Sequence, residues 1–246
     1  MEKFAIIIPV KRVTENLKKC ITEIKKMEGV DYKFFIAFGD KSPAEMRDEV
    51  VKELPEEYTH IAFIDDDAYP DKNWLFNALN WFSLNPNLAG VCGPGLLPPN
   101  SPIKEVASDL ILRFLPFSYR VVGNYFGNVS DYPTFNLILR RDWVDKVGGF
   151  CCQHIVGEDT LICKKITALG GQILYTPNVI VYHKRRPLFR PFLQQVKRYA
   201  KQRGEFFWSH ELTSYQLIFA LPSLFLIGLV LTILTYGFWF LRVRFK

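Results

Sequence analysis

Residues 60–74, HIAFIDDDAYPDKNW, run a short strand-like segment straight into three consecutive carboxylates. HIAFI, bounded by polar turn residues, reads as a buried strand over 60–64. Carboxylates crowded together disfavour one another's charge unless a cation or ample water sits among them. Asp65, Asp66 and Asp67 are therefore either a solvated turn, a role Asp fills readily, or one wall of a binding site. The neighbouring sequence bears on the choice.

Upstream, FAIII (4–8) is a continuous apolar run suited to a buried parallel strand. Val13, Leu17, Cys20, Ile21, Ile24 and Met27 then recur at helical spacing, and Gly29 ends that helix. YKFFIAF (32–38) predicts a second strand, and SPAEMRDEVVKEL a helix capped by Ser42 with Pro43 at its first position. Downstream of the triplet come a helix over 72–84 and a strand at LAGVC (88–92). This alternation predicts an α/β fold, a mostly parallel sheet with helices on both faces. Beyond the loop GPGLLPPNSP, VASDLILRFLPFSYRVV (106–122) reads as an amphipathic helix, either packed on the body or touching membrane or acceptor. A strand (134–140), a short helix ending at VGG, a helix over Glu158–Leu169 and strands at QILY (172–175) and VIVYH (179–183) complete the reading.

The net charge of +6 conceals an asymmetry. Residues 184–203 hold eight Lys and Arg and no acid, and the terminal RVRFK holds three more; without those eleven the chain stands at −5. Such clusters point to nucleic acid or to an anionic membrane surface. The thirty uncharged residues from Leu212 to Leu241 favour the membrane. As a helix they would extend roughly 45 Å, enough for one tilted crossing of a hydrocarbon core of roughly 30 Å and too short for two. Pro222 sits near the start of this span, and Tyr215, Tyr236 and Trp239 stand where interfacial aromatics are common. The expectation is a single-pass membrane protein with a catalytic domain over 1–205 and a juxtamembrane segment and transmembrane helix over 206–246. The basic excess on the domain side places that domain in the cytoplasm, with no nucleic-acid partner and no signal peptide at the N-terminus. Cys20, Cys92, Cys151, Cys152 and Cys163 lack metal-type spacing and read as free thiols; the Asn128-Val129-Ser130 sequon is then incidental.

In open α/β sheets ligands bind beyond the carboxyl ends of the strands. Asp40, the Asp65–Asp67 triplet and His183 all fall there. In extended geometry Asp65 and Asp67 share a side and Asp66 points away. Two carboxylates and an imidazole suit Mg²⁺ or Mn²⁺, the latter tolerating nitrogen better. Glu158 and Asp159 open a helix, where acids complement the dipole and where a general base could also stand at the mouth of a site.

Taken in order, these segments resemble the inverting family 2 glycosyltransferases of the GT-A fold, over about residues 4–205. IIIPVKRVTENLKKCI is similar to the family's opening strand and helix, and DDD to its Asp-X-Asp motif. NLILRRDWVDKVGGF followed by GEDTLICKKITALGGQILYTPNVIVYH resembles its acceptor-side half. The resemblance implies Pro9, Asp40, Asp65, Asp66 and Arg198 at the donor, with Asp66 on the ribose side and Arg198 facing the diphosphate. It implies Asp65, Asp67 and His183 on a divalent Mn or Mg ion, and Asp159 as catalytic base. QVKRY (195–199) resembles a Gln-X-X-Arg-Trp motif with Tyr199 in place of Trp, which implies Gln195 and Tyr199 on the acceptor side, as the GEDTLICKK segment implies for Glu158; the Tyr and the single span argue against processive synthesis. The implied partners are a nucleotide-sugar donor, UDP-linked by preference with GDP or dTDP as alternatives, and a glycan or polyprenyl-lipid-linked acceptor. Two rivals are a nucleotidyltransferase, for which PVKRVTENL lacks the expected glycines, and an inactive membrane adaptor, which would not be expected to keep Asp40, Asp65, Asp67 and Asp159.

Overall fold

The computed structural model describes residues 2–114, 119–150, 157–209, 224–232 and 235. In chain order the first half runs β1 (Lys3–Val10), α1 (Glu15–Ile24), β2 (Asp31–Phe38), α2 (Pro43–Glu53), β3 (His60–Phe63), β4 (Ala68–Pro70), α3 (Trp74–Leu84) and β5 (Leu88–Cys92). The second runs β6 (Gly95–Leu96), α4 (Ile103–Arg113), α5 (Tyr119–Val122), β7 (Gly127–Asn128), a 3₁₀ turn (Thr134–Asn136) and β8 (Leu137–Arg140). It continues through α6 (Arg141–Lys146), α7 (Glu158–Ala168), β9 (Gln172–Tyr175), β10 (Val181–His183) and α8 (Arg190–Ser209).

The main sheet has seven strands in the order β2-β1-β3-β8-β5-β9-β7. β2, β1, β3, β5 and β9 run one way, while β8 and β7 run against their neighbours. The sequence reading of a mostly parallel α/β sheet therefore holds, with β8 inserted antiparallel and shortened, since a 3₁₀ turn takes the first half of the predicted 134–140 strand. Both faces are covered, as the unbroken apolar run of β1 requires. Phe4, Ile6, Ile8 and Val10 enter one core with α1 and α3, and Ala5 and Ile7 enter the other with α2, α6 and α7. Each such Phe, Ile or Val side chain contributes about 1.5–3 kcal/mol by leaving water.

The capping pattern of α2 forms as read. Ser42 Oγ accepts from Glu45 N while Glu45 returns a bond to Ser42 N, with Pro43 at the first position. α1 is capped by Thr14 and is shorter than the apolar spacing suggests; Val13 precedes it and is exposed.

A second sheet of three strands, β4-β10-β6, was not anticipated. β4 pairs antiparallel with β10, placing His183 opposite Ala68. Asn136 pins this junction: its Nδ2 donates to the carbonyls of Gly93 and Val179, each at 2.8 Å, and its Oδ1 accepts from Trp74 Nε1 at 2.8 Å. Gly93 is required here, since a Cβ would stand 2.1 Å from the Val179 carbonyl oxygen.

The predicted helix over 106–122 is α4, which starts earlier, and α5; residues 115–118 between them lie outside the described ones. Cys20, Cys92 and Cys163 are buried free thiols, as expected, and Cys151 and Cys152 lie outside the described residues. Most of the uncharged span, including Pro222, Tyr215, Tyr236 and Trp239, also lies outside them. Residues 224–232 within it are helical, and among the described residues no helix is long and apolar enough to cross a membrane. The chain divides into two compact units, Met1–Phe192 and Leu193–Lys246.

Candidate active site

The carboxyl ends of β1, β2 and β3 lie side by side because those strands pair in parallel. Pro9 is buried in β1 opposite Ala37, and Asp40 is exposed just beyond β2. Beyond β3 the chain turns rather than continuing extended: Ala68 N donates to Asp65 O at 3.1 Å, closing a turn over the triplet. The expected shared side of Asp65 and Asp67 is thus realised by a turn, and strand alternation is not its cause. That turn feeds β4, which brings in β10 and with it His183. His183 is therefore held by the small sheet and not by the edge of the main one.

Asp65, Asp67 and His183 each offer one ligand atom, and these atoms lie within 4.8 Å of one another. His183 Nε2 stands 3.3 Å from Asp67 Oδ1. Two hard carboxylate oxygens and one imidazole nitrogen fit a Mn²⁺ or Mg²⁺ ion that completes its shell with donor oxygens and water. On the other side of the ring, Arg185 Nη1 lies 3.3 Å from His183 Nδ1 and donates to the His183 carbonyl at 3.2 Å. Arg185 is itself buried, with Nε donating to Asp109 Oδ1 at 2.8 Å and Nη2 to the Gly95 carbonyl. Arg185 thereby ties the His183 backbone and ring edge to Asp109 of α4.

The triplet is electrostatically uneven. Burial, then the charges of Asp67 and Asp65, push the Asp66 carboxyl up. Burial also works to raise Asp67, but the hydrogen bond and charge of His183, with Arg186 behind them, outweigh it and hold Asp67 below the usual carboxylate range. The triplet's field also reaches Cys20, whose thiol is pushed up to about 12 by burial first and by the three carboxylates next. His60 shows the contrast of a structural histidine. It stacks on Phe4, and burial together with the Arg140 charge brings it down to about 3, so the ring stays neutral.

Arg47, which the sequence reading did not single out, joins the two halves of the site. Only 2% of it is exposed, in the middle of α2. One guanidinium nitrogen bonds Asp65 Oδ1 at 2.9 Å and the other bonds Glu158 Oε1 at 3.1 Å. It therefore ties the triplet turn to the start of α7. A mid-helix Arg in SPAEMRDEVV carries no local sign of this, because both partners are remote in sequence. Asp48 beside it accepts from Phe150 N at 2.7 Å, fixing the chain just after VGG.

At the start of α7, Gly157 takes the left-handed conformation (φ 95°) that a side chain would resist, and Glu158 and Asp159 form the first turn. Asp159 Oδ1 accepts from Thr160 N at 2.8 Å, and Thr160 Oγ1 reaches Asp131 Oδ2 at 3.3 Å. Burial, then the neighbouring Glu158 charge, push the Asp159 carboxyl up to about 7. A carboxyl poised near neutrality suits proton transfer. Glu158, expected on the acceptor side, pairs its carboxylate with Arg47. Gln195, Arg198 and Tyr199 lie on α8 in the second unit. There Gln195 Nε2 donates to Tyr199 Oη at 3.1 Å and Arg198 stands 5.9 Å from the Tyr199 ring centroid. A separate cleft of about 430 Å³ beside β5 and β7, lined by Trp81, Phe126 and Gln172 among others, contains none of the expected site residues.

Among solved structures, the fold is similar to a mannosyltransferase from Pyrobaculum calidifontis in complex with GDP-Man and Mn²⁺ (TM-score 0.59, 12% identity, 88% of this chain and 67% of that one). It is also similar to the catalytic domain of Drosophila β1,4-galactosyltransferase 7 with xylobiose (TM-score 0.53, 17% identity, 80% and 79%). In sequence, the glycosyltransferase AglE of Haloferax volcanii is 23% identical over 91% of this chain and 80% of its own length. The pre-mycofactocin glycosyltransferase of Mycobacterium tuberculosis is 23% identical over 79% of this chain, which spans under half (45%) of that protein. Residues 60–244 match the profile of glycosyl transferase family group 2. The chain belongs to that family, and it is a glycosyltransferase.

Proposed function

We propose that the protein transfers a glycosyl group, with inversion, from a nucleotide-sugar to a hydroxyl of a membrane-borne acceptor. The observation that carries this reading is the linkage of the Asp65, Asp67 and His183 cluster through Arg47 to the turn bearing Asp159. Asp65, Asp67 and His183 would hold a Mn²⁺ or Mg²⁺ ion, which when bound offsets the negative charge of the leaving diphosphate. Asp40 and Pro9, at the adjoining strand ends, serve the nucleoside, and Asp66 the ribose side. The Asp159 carboxylate takes the acceptor hydroxyl's proton. That oxygen bonds to the anomeric carbon from the face opposite the diphosphate, and the carbon–phosphate-oxygen bond breaks with its electron pair leaving on the diphosphate. One displacement inverts the anomeric centre.

The donor is proposed to be a UDP-sugar, with GDP- and dTDP-sugars as the alternatives to be compared. The uncharged stretch 212–241 and the basic run before it support a single-pass anchor with the catalytic domain on the cytoplasmic side, and hence a lipid-linked or membrane-proximal glycan as acceptor. The test is a panel of nucleotide-sugars offered to the full chain with Mn²⁺, with Mg²⁺ and with chelator. One nucleotide class should bind in a cation-dependent manner and release free nucleoside diphosphate on turnover. Absence of cation-dependent binding across the panel would overturn the reading.

A further inference from the structure

α4 is amphipathic in the reverse sense from a helix packed on a soluble body. Three of its polar residues face inward: Ser108 and Asp109 are buried, and one Glu105 carboxylate oxygen is buried as well. Its apolar residues face out at the spacing of a single helical stripe. Ile103 is 78% exposed, Leu110 51%, Ile111 42% and Phe114 89%. Apart from that Glu105 oxygen, which has no hydrogen-bond partner among the described residues, the inward polar groups are engaged. Asp109 pairs with Arg185 and Arg113, each at 2.8 Å. Ser108 Oγ donates to the Arg186 carbonyl at 2.8 Å, and Leu188 N donates to the Lys104 carbonyl at 2.9 Å. Beside this seam, Phe189 sits at φ 82°, a conformation uncommon for a bulky residue, and leaves its side chain out in solvent. The outward stripe is thus a consequence of how the helix is anchored, since turning it over would part Asp109 from Arg185.

The charge around the stripe selects the occupant. Both acids of α4, Glu105 and Asp109, turn inward, whereas Lys104 and Arg113 on the helix and Arg186 and Arg190 on the adjoining segment are exposed. An apolar stripe edged by cations and free of its own acids matches the boundary between anionic lipid headgroups and acyl chains. We propose that the outer face of α4, with Phe189, docks in the surface of an anionic bilayer. Its buried contacts run through Arg185 to His183, so docking would present the metal-side wall of the site to lipid headgroups. The inference deepens, and rests on, the reading of a membrane-borne acceptor by naming the surface that meets the membrane.

The test places an environment-sensitive fluorophore (NBD) at Leu110→Cys in the full chain carrying Cys151→Ser and Cys152→Ser, reconstituted in vesicles of phosphatidylcholine with or without phosphatidylglycerol. Phe114→Cys is the second position should the first variant not fold, and Leu84→Cys, on the exposed end of α3, is the control. With phosphatidylglycerol present, emission at 110 and 114 should shift to the blue and be quenched by brominated lipid, while position 84 stays unchanged. Probes at 110 and 114 that remain in a watery environment on the vesicles overturn the proposal. A blue shift without lipid that grows with protein concentration also overturns it, in favour of a second copy of the chain. Donor binding is measured on the same samples. Intact donor binding with water-exposed probes would remove this docking surface alone, and lipid-buried probes without donor binding would remove the transferase site alone.

Discussion

Asp159 sits in the first turn of α7 with its carboxyl pushed up to about 7, by burial first and the Glu158 charge next. In the proposed reaction it must be ionised to accept a proton, so transfer should rise with pH and level off above about 7. Glu158→Gln removes a raising charge and frees Arg47 to act more strongly, so that midpoint should move to lower pH. Asp159→Asn should lose ~10²-fold or more in turnover, the usual worth of a general base, with donor affinity nearly intact. Near-native turnover would remove Asp159 from the role. The same shift has a stability consequence. Its folded value lies above the ordinary 3.8, so between those values the folded chain holds the extra proton. The stability this group adds is therefore complete below about pH 4 and lost as pH rises towards 7. At the other end of the site, Asp67→Ala and His183→Ala should each weaken donor binding only when Mn²⁺ or Mg²⁺ is present, as read by titration with and without chelator. A silent His183→Ala would return that residue to a purely structural role.

At the scale of elements, α2 and α7 are coupled through the single buried guanidinium of Arg47. Removing one partner of a buried ion pair costs about 3–5 kcal/mol because the other charge is left in the interior. Glu158 is mostly buried but the Asp65 side chain is 36% exposed, so water compensates part of the loss. Arg47→Met should therefore cost about 3 kcal/mol in chemical denaturation and weaken donor binding by releasing Asp65. An unchanged unfolding midpoint would show that the bridge contributes nothing. The elements that sequence could disclose were those with local signatures: the apolar runs of β1, β2, β3 and β5, the capping box of α2, and the acids at the sheet edge. Those it could not disclose depend on partners remote in the chain. β4 and β6 are only three and two residues long and exist because β10 pairs with them. Arg47, Asn136 and Arg185 look like an ordinary helix residue, a strand residue and one basic residue among eight until the fold brings Asp65, Gly93 and Asp109 to them. α8 lies in a run read for its charge and for the QVKRY motif and not for helical spacing, and burial of Arg185 removes one cation from that run's outward face.

For the whole molecule, the proposed membrane anchor would act together with catalysis, a reading that rests on the charge distribution and the uncharged stretch near the C-terminus. Polybasic segments gain about 1 kcal/mol per residue near an anionic leaflet, so a tether and a basic surface reinforce one another. Truncation after Ser209 should leave donor binding intact and slow transfer to bilayer-borne acceptors, compared with the full chain on the same vesicles. Equal rates would reduce the C-terminal segment to an address with no part in the reaction. The account as a whole turns on whether Asp65, Asp67 and His183 form a cation-dependent donor site. Calorimetric titration of nucleotide-sugars into the full-length protein, with Mn²⁺ and then with excess chelator, asks this directly. Binding should appear with the cation, vanish with the chelator and be lost in Asp67→Ala; donor binding of equal strength in chelator would contradict the account.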